Sequence, residues 1–279
     1  MNTLFANKVI ESKATDLLST KLNHRSLMTI DAELQGSEGM TKTINTYTYT
    51  GEAEILGVGV GSTASKRGSV SYVGKDYTVQ CIQEAFDYFD EDFMKDNNVV
   101  DMGVNGATDV MTNFLTSKFY EALATKQGAQ ELVGKTEFAK GGAISYDTVV
   151  DAIADMKVED ESKLVLVLPT DWKADIRKDS DYKAAQLGEV IYNGQVGTIA
   201  GIPVVCTKIL NATPGNAAKA YLLTPEAVTL FIKKNVEVEQ DRDKDKRLNS
   251  IYLREYYICA LTDATKARKI VEAAQEGDN

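Results

Sequence analysis

The sequence predicts an α+β protein, and three stretches carry that prediction. Gly188 to Val205 (GEVIYNGQVGTIAGIPVV) holds three short apolar runs parted by Asn193-Gly194 and Ala200-Gly201. Such pairs accept the positive φ angles of tight hairpin turns, so the stretch reads as a small antiparallel sheet. Between Asn97 and Lys126, the residues Ala107, Val110, Met111, Phe114, Leu115, Phe119, Ala122 and Leu123 form one helical stripe. Phe231 to Gln240 and Ile251 to Leu261 alternate apolar and polar side chains on either side of the charge run Asp241 to Arg247. Those two runs are expected to pair as one long hairpin with a charged tip.

Taken in order, the chain opens with Ala6, Val9, Ile10, Ala14, Leu17 and Leu18 at helical spacing and Lys8, Glu11, Lys13, Asp16 and Lys21 opposite. This is an amphipathic helix over residues 3 to 22 that needs a surface to lie on. Thr41 to Thr50 and Val70 to Ile82 have strand composition and are expected to answer one another. The loop between them carries Gly57, Gly59, Gly61 and Gly68 and the basic pair Lys66-Arg67. Loops of that length are uncommon inside a compact domain, so it reads as a projecting arm.

Gly103 and Gly106 weaken the first turns of the long helix, which places its firm part from about Ala107, over ~30 Å. Gly128 is the expected C′ residue. A second helix is expected over Tyr146 to Met156. Leu164 to Leu168 follows as a strand whose lack of alternation predicts burial on both faces. Pro169-Thr170-Asp171 starts a further helix holding Trp172. Pro203, without an amide hydrogen, belongs at a sheet edge or strand start. Ala220 to Leu223 reads as a strand, and Thr224-Pro225-Glu226 as a helix start with the cap at Thr224.

With 279 residues the chain can bury a real core without disulfides. Its formal net charge of −10 argues against a nucleic-acid reader coated in Lys and Arg, and leaves room for contact through a local patch. Cys81, Cys206 and Cys259 each lie in an apolar strand-like run with no CxxC spacing, and are expected as reduced core residues. No apolar run approaches the length of a membrane span, and residues 1 to 30 lack the pattern of a signal peptide.

Three motifs suggest an enzyme, and each has a plainer reading. Ala129 to Thr136 (AQELVGKT) matches a loose phosphate loop, but a working one follows a strand and opens a helix. Here a long helix precedes it and Gly141-Gly142 prevents a long helix after it. Gly59-Val60-Gly61-Ser62-Thr63-Ala64 fits the weak dinucleotide fingerprint, with no room for the helix that would carry pyrophosphate. His24 is the sole histidine, with no cysteine cluster to join it in a metal site. No catalytic, cofactor-binding or metal-binding residue is assigned.

The order of parts resembles the major capsid proteins of tailed double-stranded DNA bacteriophages and their Hong Kong 97-type fold. The likeness runs from Leu4 to about Val271. It rests on the run Gly197 to Val204 (GTIAGIPV), on Leu222-Leu223-Thr224-Pro225-Glu226-Ala227, and on the long strand pair that follows. The resemblance implies an N-terminal arm over 1–40, an extended E-loop hairpin over 41–84, and a P-domain with spine helix over 85–136 completed by 224–279. The A-domain falls at 137–223, with a central sheet flanked by helices. It further implies self-assembly as pentamers and hexamers into the icosahedral head shell around phage DNA, by way of a procapsid. The virion capsid would be assembled in the host bacterial cytoplasm.

The partners so implied are further copies of the chain, a scaffolding protein, a portal protein, packaged double-stranded DNA held without sequence preference, and a possible decoration protein; no membrane is involved. Because only the short helix precedes the hairpin, the scaffold is expected as a separate protein. Some members of the family join an E-loop lysine to a P-domain asparagine, for which Lys66 and Asn249 would be the counterparts; the other reading of Lys66 is ordinary solvated charge at a loop tip. The alternatives are the shell of an encapsulin-like bacterial nanocompartment, which has the same fold, and a nucleotide-binding enzyme resting on Ala129 to Thr136.

Two segments are candidate assembly contacts. At the charged tip, Asp241, Asp243 and Asp245 would point one way and Arg242, Lys244 and Lys246 the other if the run is extended. Tips from three subunits could then pair around local threefold axes. On the arm, Ile55, Leu56 and Val58 offer apolar surface to a neighbouring subunit while Lys66 and Arg67 meet acidic groups there. Few side chains of the arm offset the ~1 to 2 kcal/mol per residue that backbone ordering costs, so it is expected to order on assembly. Trypsin should therefore cut after Lys66 or Arg67 readily in free subunits and slowly in finished shells. Equal rates in the two states would remove the arm from intersubunit contact.

Overall fold

The computed structural model describes residues 7–21, 27–51, 55–56, 58–59, 68–127, 130–158, 160–185 and 197–273. The first helix, α1 (Asn7–Lys21), buries Ile10, Ala14 and Leu18, an i, i+4 row. That row lies against the spine helix α3 (Val99–Leu123) and the long strand β12 (Val228–Asp243) of the same chain, and Lys13 Nζ reaches Asp101 Oδ1 at 2.8 Å. The surface it needs lies within its own chain, which covers Ile10, Ala14 and Leu18, while Val9 of the expected apolar side is exposed.

One body is a four-stranded sheet with α3 across it. Its order is β1 (Thr29–Asp31), β12, β13 (Leu248–Leu261) and β4 (Gln80–Phe89). The predicted long hairpin is β12 and β13, antiparallel from Val228↔Leu261 to Asp243↔Leu248, with register shifts between Ile232 and Glu237. Val236 and Val238 on β12 and Ile251, Leu253 and Tyr257 on β13 point into the core with Val104, Met111, Leu115 and Phe119 of α3. Of the predicted helical stripe, Val110 and Phe114 instead lie on the exposed side.

The spine helix starts at Val99, two turns before the expected firm part, although Gly103 and Gly106 lie inside it. Gly103 has a tertiary reason to be there, because a Cβ at that position would stand 2.2 Å from the Phe86 ring of β4. The glycine lets strand and helix close on one another, and the packing so gained outweighs the helix propensity lost. The helix ends at Leu123, capped at Ala124, so it is already closed well before Gly128, which lies outside the described residues. Thr108, Thr112 and Thr116 on its buried side each donate to the carbonyl four residues back, at 2.6, 2.8 and 2.8 Å.

β2 (Thr41–Thr50) and β3 (Ser69–Thr78) form a separate two-stranded ribbon, in register from Thr41↔Thr78 to Thr50↔Ser69. The run read as one strand from Val70 to Ile82 is broken at Val79, whose amide donates to Met40 O at 2.7 Å; beyond it the chain changes sheets as β4. Ile44, Val79, Phe231, Ile258 and Ala260 make a small core at the ribbon's root, and the Lys42 ammonium lies 3.9 Å from the Phe231 ring centre.

The second body is a six-stranded sheet. Its order is β7 (Gly134–Phe138), β14 (Ala267–Glu272), β11 (Lys219–Leu223), β8 (Val165–Pro169), β10 (Ile202–Thr207) and β9 (Thr198–Ile199). The helix α4 (Tyr146–Met156) is found where predicted, capped by Ser145, and packs on this sheet with α5 (Lys173–Lys178). A short 3-10 turn, Thr170–Trp172, leads into α5. Ala200 and Gly201 take φ of 50° and 80° between paired Ile199 and Ile202, the tight turn expected; Asn193-Gly194 lies outside the described residues. Pro203 stands at the start of β10, as a residue without an amide hydrogen should.

Thr224-Pro225-Glu226 does not start a helix. Ala227 N donates to Thr224 O at 3.0 Å, closing a turn that feeds β12 directly. The β-branched and aromatic residues that follow, Val228, Thr229, Phe231 and Ile232, outweigh the cap-like signal in front of them.

The two spine-helix glycines give opposite predictions. Gly103→Ala should destabilise the dispersed subunit by about 1 to 3 kcal/mol through overpacking against Phe86. A methyl group on Gly106 would meet nothing within 4 Å, so Gly106→Ala should stabilise it by about 0.5 to 1 kcal/mol. Urea midpoints of the two variants would show the split in sign.

Candidate functional site

Of the enzyme-like motifs, only the phosphate-loop run lies largely within the described residues, at 130–136. Lys135 sits in strand β7, its ammonium 2.6 Å from Glu137 Oε1, and a loop, not a helix, follows the strand. A Cβ on Gly134 would meet the Arg268 guanidinium at 2.7 Å, the far end of a flexible side chain. Among the described residues of the run, 130–136, the strand-to-helix setting of a phosphate loop is not present. Ala129, His24 and residues 60–64 lie outside the described residues. Among the described residues no cluster of His, Cys, Asp or Glu is placed to hold a metal ion, and no helix is long and apolar enough to cross a membrane.

The cysteines are free, and they are not all core residues. Cys81 is exposed on β4, which corrects that expectation, because its strand shows one face to solvent. Burial pushes the Cys206 thiol up and the Cys259 thiol up to about 12, leaving both as inert thiols.

The hairpin tip is where the sequence and the structure differ most usefully. β12 runs on to Asp243 and the turn occupies residues 244–247, so only Asp241, Arg242 and Asp243 are extended. The predicted separation of acids from bases along the run does not occur. Arg242 Nη2 donates to Asp90 Oδ2 at 2.7 Å, and the Asn249 amide donates to the other oxygen, Oδ1, at 2.8 Å. Arg247 pairs with Glu91 at 2.6 Å. Asp243 Oδ1 accepts from the amides of Asp245 and Lys246 at 3.0 and 3.2 Å, which makes it the residue that folds the turn. Lys246 lies 3.4 Å from Asp243, and Lys244 has no ion-pair partner among the described residues.

Asp90 is therefore the clamp of the tip, and it was not foreseen. It opens the short helix α2 (Asp90–Lys95), whose first turn is Asp90, Glu91 and Asp92. Three acids just after an apolar run are a helix-start signal, and that signal was available in the sequence. Hydrogen bonding from Asn249, then from Arg242, together with the Arg242 and Arg247 charges, holds the Asp90 carboxyl below its ordinary value. Asn249 is thus buried in a structural role, while Lys66 lies outside the described residues. On the arm, Ile55 and Val58 are fully exposed and Leu56 nearly half so, while Arg67 also lies outside the described residues.

A projecting two-stranded ribbon, a spine helix laid over a long hairpin, and a second sheet flanked by helices define the Hong Kong 97-type capsid fold. The capsid of Ralstonia phage GP4 has it too, with a TM-score of 0.65 at 10% identity over 91% of this chain and 89% of that one. In sequence, the chain is 24% identical over 267 residues to the major capsid protein of Staphylococcus phage phiMR11, covering 92% of this chain and 89% of that protein. A 95-residue stretch is 32% identical to the major capsid protein of Escherichia phage T5, covering 33% of this chain and 21% of that protein. No protein-family model matches. The expectation of a shell-forming capsid protein is supported, and because the matching relatives are phage major capsid proteins, the encapsulin alternative is not favoured.

The clamp at Asp90 predicts a pH dependence. A carboxyl that titrates below 3.8 in the folded chain contributes its full stabilisation above that pH and loses it as the pH falls through the depressed value. Asp90→Asn should therefore lower the urea midpoint at about pH 7 and flatten its decline toward about pH 3. Parallel curves for the two proteins would show that Asp90 does not hold the tip.

Proposed function

We propose that this chain is the major capsid protein of a tailed double-stranded DNA phage, building an icosahedral head from pentamers and hexamers of itself. The observation that carries the reading is the sequence likeness to a phage major capsid protein across nearly the whole chain, joined to a capsid fold. The division into N-terminal arm, E-loop, P-domain and A-domain fits the two sheets and the ribbon, with the long hairpin and spine helix as the P-domain. In this reading the helix of the N-terminal arm serves its own P-domain.

The same reading takes a scaffolding protein, a portal protein and packaged DNA as partners, and the host cytoplasm as the place of assembly. A net charge of −10 gives no general attraction to DNA, so contact with the packaged duplex rests on local patches and carries no sequence information. Of the four charged residues on the turn, Lys246 pairs with Asp243 and Arg247 with Glu91, and the other two, Lys244 and Asp245, are proposed for threefold contacts. Exposed pairs contribute about 0.2 to 1 kcal/mol each, which matters only through repetition around a shell.

Electron microscopy of the chain expressed with its scaffolding protein should show closed shells, and shells matured in an infected cell should contain nucleic acid. Dispersed subunits under all such conditions would sink the capsid reading. Shells that form but enclose protein cargo in place of DNA would return the nanocompartment.

A further inference from the structure

Lys173 and Arg177 stand one turn apart on the same side of α5, and among the described residues neither has a carboxylate partner. Asp175, between them, lies on another side of the helix, since residues two apart do not face each other. Asp179, just past the helix, is already engaged: Oδ2 accepts from the Tyr146 amide at 2.6 Å and Oδ1 from the Asp181 amide at 3.0 Å. The next helix, α6 (Ser180–Ala185), brings Tyr182 into the same core at 1% exposure. The Arg177 charge bears on the Tyr182 phenol, and the Lys173 and Arg177 charges both bear on the Cys206 thiol of β10, so these groups converge.

What the cluster lacks is an acceptor. Arg177 Nε and the Tyr182 hydroxyl are both buried, and neither has a hydrogen-bond partner. A buried donor left unpaired carries its desolvation cost with nothing in return. Water would take up the hydrogen bonds and leave the two cations facing one another, whereas an anion answers both needs at once. The guanidinium offers a planar fork that fits an oxyanion, the ammonium a point charge and the phenol a single donor.

We propose that Lys173, Arg177 and Tyr182 form a binding site for a small oxyanion of the phosphate type, held by the guanidinium and the buried hydroxyl and neutralised by the ammonium. The site takes a dianion because its cations number two and no acid shares them. It takes a free ion because a hydroxyl at 1% exposure is out of reach of a duplex backbone or of a carboxylate carried on another chain. The bound ion would join α5, α6 and β10 near the end of the six-stranded sheet formed by β10 and β9. This is a property of the single subunit and does not rest on the shell-forming reading.

The test titrates dispersed subunits of the full chain with inorganic phosphate, in chloride of constant ionic strength at about pH 8, above the second ionisation of a phosphate group. Calorimetry measures the stoichiometry. Trp172, the only tryptophan, precedes Lys173 and packs on the same core, so its fluorescence reports on the site. The expected result is one phosphate per chain with a saturable change in Trp172 emission. Arg177→Gln should weaken that binding by about tenfold or more, since it removes a charge-assisted contact. Tyr182→Phe removes a hydroxyl with no partner, so in chloride it should keep the parental urea midpoint, and it should still weaken phosphate binding by about threefold or more. If Arg177→Gln fails to fold, Tyr182→Phe decides alone. No saturable binding by the parent, or undiminished binding by either folded variant, overturns the proposal. A short DNA duplex that displaces phosphate from the site overturns it as well, by giving the site to a nucleic-acid backbone.

Discussion

Burial on both faces of β8 and β11 is the constraint on which the rest of the molecule depends. Leu166, Leu168, Ala220 and Leu222 face the core under α4 and α5, whereas Val167, Tyr221 and Leu223 face the core that includes the spine helix. One pair of strands thus serves as a wall common to both bodies. Tyr221 stacks on Tyr120 of α3 with ring centres 6.1 Å apart, and burial pushes both phenols above their ordinary range. A polar substitution at Val167 would be felt on the spine-helix side, and one at Leu166 on the α4 side, although the two are adjacent in sequence.

Around that wall, the parts proposed for contact with other copies differ in how their own chain holds them. The ribbon is tied to the body only at its root, through the small core around Val79 and Phe231. The hairpin tip is different in kind, since Asp90 accepts from both Arg242 and Asn249 and so fixes the turn before any partner arrives. A preformed tip loses less side-chain freedom on contact than a loose one, so the same weak surface charges gain in effect.

Much of this was legible in the sequence where local pattern and tertiary role agree. The helix Tyr146–Met156 has its cap and its apolar side in the right places. The strand at Leu166 announced its double burial through lack of alternation, and the β12–β13 pair through its alternation. What could not be read depended on residues distant in the chain. Gly103 looks like a helix breaker until Phe86 is seen against it, and Thr224-Pro225 looks like a cap until the strand beyond it finds β13. The charge run looked free because its partners, Asp90 and Glu91, lie some 150 residues earlier.

The threonine ladder of α3 bears on how the spine helix meets its surroundings. Because Thr108, Thr112 and Thr116 spend their hydroxyl hydrogens on carbonyls of their own helix, they ask nothing directional of the surfaces they touch. A buried hydroxyl bonded across to another element would index the helix to one position, like a tooth in a rack. Here that side of the helix behaves at these positions as a smooth bearing, located by shape alone. Small rolls or translations there would cost van der Waals contact and would leave none of the three hydroxyls unpaired.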